Sequence, residues 1–304
     1  MAVEPEIFGV DLFGDTIRQT PSSILAKKYL FPPFSVLDAK QGDWQDRKRA
    51  WANLGIKGEM GRDARCYDIG HVSFYKSKIA SIGVSIFDPT LCEIMYRWFC
   101  QPAGMIVDPF AGGSVRGIVA SVLGYRYWGC DLRAEQIAAN REQAADIGVH
   151  NIEWVCGDSM DELDNAPLAD MLFSCPPYGD LEKYSDDPRD LSSMEWHTFA
   201  AEYGRIILKA STKLANNRFA VFVVGNFRDK RGAMRDLVGL TVKRFEECGM
   251  SLHNEAILLT AIGTAAWRAS HQFPVSRKLC RVHQNVLVFC KGDPFTAARD
   301  IVDM

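Results

Sequence analysis

The chain has 304 residues, 47% of them hydrophobic and 24% charged, with a formal net charge of -3. It is long enough for one large α/β domain with or without an extension, and its near-neutral balance excludes a uniformly basic nucleic-acid coat. Nine cysteines (66, 92, 100, 130, 156, 175, 248, 280 and 290) include no CxxC pair, so no zinc site or disulfide framework is indicated and a reducing compartment fits best.

In chain order, the first 84 residues read as irregular, with Pro21, Pro32 and Pro33 and one helical stretch near 44–54. DPTLCEIMYRWF (88–99) predicts a helix with Pro89 in its first turn. Strands and helices then alternate: MIV (105–107), a helix over 114–124, YRYWGC (125–130), a helix over 134–148 stopped by glycine, NIEWVC (151–156) and ADMLFS (169–174). A long helix is expected over about 193–214, with Ser192 and Glu195 at capping-box spacing. RFAVFVVG (218–225) predicts a strand and 231–249 a helix. SLHNEAILLT (251–260) and QNVLVFC (284–290) predict two last strands, joined without a helix. Near-continuous apolar strands separated by helices predict a Rossmann-like, doubly wound α/β fold. Its seven-stranded sheet would be mostly parallel and end in an antiparallel hairpin. The expected division is an N-terminal extension over 1–84 and a main domain over 85–304. The N-terminus has no basic-then-apolar pattern and no run of 18 apolar residues exists, so a cytoplasmic location without membrane contact is expected.

In sheets of this kind, ligands bind beyond the carboxyl ends of the strands. The first strand ends in DPFAGGS (108–114), where Gly112 and Gly113 let the backbone turn and approach a ligand. No lysine follows to reach a phosphate. The second strand ends in CDLR, placing Asp131 where a carboxylate accepts from ribose hydroxyls, and the third ends in GDS, placing Asp158 near a nucleobase amino group. The expected cofactor wall is Asp108, Phe110, Ala111, Gly112, Gly113, Ser114, Asp131, Leu132, Asp158 and Ser159. Read singly, Asp131 and Asp158 are equally well loop acids or helix caps.

The fourth strand ends in SCPPYGD (174–180). DPFAGGS, then an acid after strand two, then PPY after strand four, resembles the S-adenosylmethionine-dependent amino-methyltransferases of DNA. The resemblance spans about 85–291 and includes SIFDPTL (85–91) and HQNVLVFCKG (283–292). The stretch 32–51 is similar to bacteriophage-encoded DNA methylases. The resemblance implies S-adenosylmethionine as cofactor, DNA as partner, and transfer of a methyl to N4 of cytosine or N6 of adenine. It places Phe110 and Gly112 along the methionine part of the cofactor, Asp131 at its ribose and Asp158 at its adenine. Gly113 and Ser114 reverse the family's usual order, and Arg116 stands where small hydroxyl residues are common.

Methyl transfer to an exocyclic amine needs acceptors that orient the amine and a surface that holds the base flat. Pro176 and Pro177 give a stiff turn with carbonyl acceptors, and Tyr178 gives a ring on which a base stacks. Cys175 occupies the place where the family uses Asp, Asn or Ser. Three readings are open. Cys175 is a near-isostere of serine while the Pro176 carbonyl orients the amine, which favours cytosine N4; Ser174 supplies the acceptor in a shifted register; or Cys175 is a nucleophile for pyrimidine C5 methylation. An RNA substrate and a catalytically idle nucleic-acid-binding protein are the further alternatives.

For substrate contact, 261–284 holds Arg268, Arg277, Lys278 and Arg281 with no acid, beside Trp267, His271 and Phe273. Between Lys27 and Lys78 stand eleven Lys and Arg against six Asp and Glu. There Trp44, Lys48 and Trp51 share a helical face, either as a nucleic-acid surface or with the tryptophans packing the extension onto the sheet. The loop 179–192, with Asp180, Glu182, Asp186, Asp187 and Asp190, reads as a solvated lid around Lys183, Tyr184 and Arg189. His71, His253 and His271 have no ligand spacing, so no metal is expected.

Overall fold

The structure, a computed structural model, describes residues 7–10, 16–18, 21–56, 87–179, 184–229, 231–260 and 263–301. Strands β1 (Ile7–Val10) and β2 (Thr16–Arg18) form an antiparallel ribbon. Helix α1 (Pro21–Tyr29), strand β3 (Val36–Asp38) and helix α2 (Gly42–Asn53) follow. The alternating part contains α3 (Pro89–Phe99), β4 (Met105–Asp108), α4 (Val115–Val122), β5 (Arg126–Asp131), α5 (Ala134–Ile147), β6 (Ile152–Cys156), α6 (Ser159–Glu162) and β7 (Ala169–Ser174). Then come α7 (Trp196–Lys213), β8 (Leu214–Val224), a short ribbon of β9 (Phe227–Arg228) and β10 (Met234–Arg235), and α8 (Leu237–Glu247). The last elements are β11 (Ser251–Leu259), α9 (Ala265–Ser276), β12 (His283–Lys291) and α10 (Pro294–Arg299).

The main sheet runs β3-β11-β12-β8-β7-β4-β5-β6. Strand β12 is antiparallel to both neighbours, and the remaining pairs are parallel. The expected architecture therefore holds, with the last strand inserted antiparallel between β8 and β11. The central strands are apolar on both faces because helices cover both. Ile106, Met171, Phe173, Val221 and Val223 pack toward one layer, while their alternate neighbours Val107, Leu172, Ala220, Phe222 and Val224 pack toward the other.

Local signals explain several boundaries. The Asp88 carboxylate accepts from the Thr90 and Leu91 amides, and Pro89 occupies the first turn of α3. Gly148 ends α5 in the left-handed region at φ 76°.

Four expectations are corrected. Among the described residues the sheet has eight strands, because β3 pairs in parallel with β11 through Val36, Leu37 and Asp38; three residues carry too little pattern to read as a strand. The 261–283 connection is not helix-free. It contains α9, which buries none of its residues and contains Pro274, so it carries no apolar stripe. The long helix starts at Trp196, not 193. Ser192 belongs to a preceding 3-10 turn, where its amide and hydroxyl donate to Asp190, and Glu195 caps nothing with its side chain. The helix expected from 231 begins at Leu237, after the β9–β10 ribbon, with the Asp236 carboxylate accepting from the Gly239 amide.

Trp44 and Trp51 are buried at 1% and 6% exposure. They pack α2 against α3, where the Trp51 indole reaches Glu93 and the Trp44 indole reaches the Asp88 cap, whereas the packing alternative places them on the sheet. Glu93, on α3 and wholly enclosed, accepts from Trp51 Nε1 at 2.8 Å, Arg47 Nε at 2.6 Å and Arg97 Nε at 3.0 Å. Burial alone would raise the Glu93 pKa, yet these donors outweigh it and hold the carboxyl below its usual range.

Candidate functional site

The parallel strands β4 to β8 end along one edge of the sheet, where a cleft of about 1590 Å³ opens. Its walls come from the loops after β4, β5, β6, β7 and β8, from α2, and from 263–284. This is the crevice in which such sheets hold ligands.

The first wall is the glycine loop. Gly112 has φ 51°, a region that favours residues without a Cβ, and a Cβ on Gly113 would meet nothing within 4 Å. The Gly112 amide donates to Asp131 Oδ2 at 3.0 Å, and its carbonyl accepts from Asn140 Nδ2 at 2.7 Å. The Arg133 amide donates to Asp131 Oδ1 at 2.9 Å. Burial raises the Asp131 carboxyl above its ordinary pKa, opposed by the Arg133 and Gly112 amides. Asp158 caps α6, accepting from the Met160 amide at 2.8 Å, and Ser159 donates to the Pro109 carbonyl. Phe110, Gly112, Gly113, Ser114, Asp131, Leu132, Asp158 and Ser159 all face the cleft.

Asp108 and Ala111 do not line it; both are fully buried behind the loop. Asp108 accepts from Arg116 Nε at 2.6 Å, the Tyr127 hydroxyl at 2.7 Å, the Ser174 hydroxyl at 2.5 Å and the Phe110 amide at 3.0 Å. Arg116 also donates to the Ala111 carbonyl at 2.8 Å and to the Phe110 carbonyl. Burial disfavours the Arg116 charge, but the adjacent Asp108 carboxylate outweighs it and raises the pKa. A buried ion pair therefore clamps the loop from beneath. The sequence carried one trace of it, the arginine at 116 where the resembling family has small residues.

The second wall is the SCPPY turn. The Ser174 hydroxyl points behind the loop to Asp108, so it does not reach the cleft, whereas Cys175, Pro176, Pro177 and Tyr178 line it. Cys175 is half-buried, with Sγ 3.8 Å from the Tyr178 hydroxyl. Gln284 Nε2 donates to that hydroxyl at 2.7 Å and holds the ring in place. Burial, then the neighbouring Cys175, pushes the Tyr178 phenol well above its ordinary pKa, so it stays neutral. Gly179 ends the turn at φ 53°, and a Cβ there would lie 2.4 Å from Phe227 Cζ. Gln284 carries no mark in the sequence, since a polar residue at the start of a strand gives no signal of its partner.

The third wall is basic. Arg268, Lys278 and Arg281 line the cleft; Arg277 does not, and its guanidinium lies 5.3 Å above the Phe273 ring. Lys48 also lines the cleft, with Nζ 3.1 Å from Asp88 Oδ2. Tyr184 and Arg189 face it from the acidic loop. In that loop Asp187 pairs with Arg189 at 2.7 Å and Asp190 binds the Ser192 amide. Asp180, Glu182, Lys183 and His71 lie outside the described residues, as do 57–78 of the basic stretch and the start of SIFDPTL. His253 packs on Phe219 and His271 on Trp267. Among the described residues no three His, Cys, Asp or Glu gather as metal ligands, and no helix is long and apolar enough to cross a membrane.

No protein-family model matches this sequence, and no curated protein matches it. Solved structures do. TrmN from Thermus thermophilus shares 16% identity at a TM-score of 0.45, over 67% of this chain and 48% of TrmN, so the match spans about half of that protein. A putative RNA methyltransferase from Pyrococcus horikoshii shares 14% identity at 0.48, over 82% of this chain and 100% of the other. A precorrin-6y C5,15-methyltransferase from Geobacter metallireducens shares 14% identity at 0.45, over 68% of this chain and 88% of the other. Likeness this distant leaves substrate and chemistry to the site's own residues.

Proposed function

We propose that the chain is an S-adenosylmethionine-dependent methyltransferase acting on the exocyclic amine of a DNA base, cytosine N4 ahead of adenine N6. The observation that carries this reading is the meeting of two walls across one cleft: the glycine loop with Asp131 and Asp158, and the CPPY turn. The acceptor set suits a nucleoside cofactor. Each Asp131 oxygen accepts one backbone N–H, which leaves lone pairs for ribose hydroxyls. Asp158 caps α6 through Oδ1, which leaves Oδ2 for an adenine amino group. At about 1590 Å³ the cleft exceeds the ~300–1,000 Å³ of ordinary small-ligand pockets, with room for a base beside the cofactor.

Bound S-adenosylmethionine would supply an electrophilic methyl group. The chain's own part is positioning. The Pro176 carbonyl accepts an amine hydrogen and turns the nitrogen lone pair toward the methyl. Tyr178, fixed by Gln284, holds the base flat. Of the two acceptor alternatives beside the prolines, Cys175 is the one that faces the cleft.

The test incubates the protein with labelled S-adenosylmethionine and DNA, RNA or free nucleotides, then digests and identifies the modified nucleoside. N4-methylcytosine or N6-methyladenine from DNA is expected. A C5-methylpyrimidine lost in Cys175→Ser would replace the proposed mechanism with a covalent one. Product from RNA alone would replace the substrate.

A further inference from the structure

Arg281 differs in kind from the other basic residues of the cleft. It precedes β12, and its side chain crosses to the end of β8. There Nη1 lies 2.8 Å from where a Cβ on Gly225 would stand, and Tyr178 Cε2 lies 3.9 Å from the same point. The guanidinium and the ring of the CPPY turn thus flank one glycine, which is what lets the cation come so close. Nη1 is enclosed and has no acceptor among the described residues. Burial lowers the Arg281 pKa, and only Tyr178 opposes it. His283, beside it, is held below its ordinary pKa by burial and by the Arg281 charge. Tyr178, His283 and Gln284 beside it are therefore neutral, and among the described residues no carboxylate answers it.

A half-buried guanidinium with one enclosed nitrogen left unanswered is costly, and native proteins rarely keep such a group without a use. Arg268, exposed and also lining the cleft, suits phosphate. Arg281 is half-buried and lines the cleft beside Tyr178, the ring on which a base would stack.

We propose that Arg281 reads the base: the cleft-facing part of its guanidinium donates to the ring nitrogen flanking the exocyclic amine, N3 of cytosine or N1 of adenine. This rests on the base-methyltransferase reading of the cleft. The consequence is selection by chemistry. Cytosine and adenine present an acceptor at that ring position. Thymine and guanine present an N–H there, which would set donor against donor and leave the cation unanswered. Arg281 is a specificity residue, separate from the acceptors that hold the amine.

The test is a cycle in affinity and turnover. Fluorescence anisotropy compares oligo-dC with its 3-deazacytosine counterpart, and oligo-dA with 1-deazaadenine, across several salt concentrations. The proteins are wild type, Arg281→Gln, Arg281→Lys and Arg268→Gln; kcat and KM for methyl transfer are read alongside. Wild type should prefer at least one natural base by about 10- to 100-fold, the range of a charge-assisted hydrogen bond. Arg281→Gln should lose that preference while the slope of log affinity on log salt stays unchanged, and Arg281→Lys should keep part of it. Arg268→Gln should keep the preference and lower the slope by about one unit.

A wild type indifferent to the deaza bases overturns the proposal. So does a preference kept in Arg281→Gln, or a salt slope lowered by that variant, which would make Arg281 a phosphate contact. A thermal midpoint far below wild type in both Arg281 variants would make it structural and equally overturn the proposal. If no nucleic acid is methylated, the base-methyltransferase reading fails by itself, while the anisotropy cycle still decides what Arg281 contacts.

Discussion

The two sides of the cleft are built in opposite ways. Beneath the glycine loop the polar groups are answered from within: Asp108 takes four donors, Arg116 spends its fork on Asp108 and two carbonyls, and Gly112 is tied to Asp131 and Asn140. Across from it, α9 buries none of its residues, and Arg281 keeps an enclosed nitrogen with no acceptor among the described residues. The first side is preformed, which lowers the ordering cost of binding one defined ligand. The second is left incomplete, as suits a surface finished by a larger partner. In the proposed function the cofactor belongs to the loop side and the nucleic acid to the side of α9 and Arg281.

The contrast breaks first, and hardest, at Asp108. Asp108→Ala leaves Arg116 buried without its partner and should cost about 3–5 kcal/mol, read as a large drop in thermal midpoint together with lost cofactor binding. Next, Gly179→Ala forces a left-handed conformation on a residue with a Cβ and drives it into Phe227. A loss of about 2–4 kcal/mol is expected from strain and overlap, with kcat falling further than cofactor affinity because Tyr178 is displaced.

Glu93→Gln weakens the hold of α2 on α3 and should cost about 1–3 kcal/mol at pH 7. The folded pKa of Glu93 is depressed. Its contribution is therefore full above the unfolded value of about 4.3 and fades as pH falls from there through the folded value. Thermal midpoints of wild type and variant should converge on acidification; a gap constant down to pH 3 would contradict the assignment. The smallest stability effect belongs to α9. Arg268→Gln, at an exposed residue, should change stability by no more than about 0.5 kcal/mol while weakening nucleic-acid binding at low salt.

What could be read from sequence follows the same division between local and tertiary causes. Asp88-Pro89 and Gly148 signal helix ends within a few residues, and the apolar strands declare a sheet covered on both faces. The cleft-facing residues Gly112, Asp131, Asp158, Pro176 and Tyr178 were legible because strand ends place them and motifs mark them. Strand β3 was not, since Val36–Asp38 is defined by its pairing with β11 rather than by its own pattern. Helix α9 was hidden because, with no buried stripe, nothing in its spacing marks a face. The Asp108–Arg116 clamp and the Gln284–Tyr178 bond join residues whose partners only the fold selects, so Asp108 read as a cleft residue when it stands behind the loop.

The central claim is that the loop side is a preformed cofactor site, and calorimetric titration of the chain with S-adenosylmethionine, without nucleic acid, tests it most directly. One site per chain is predicted, weakened by at least about tenfold in Asp131→Ala by loss of a charge-assisted hydrogen bond and unchanged in Arg268→Gln. No binding, or binding indifferent to Asp131, would contradict it.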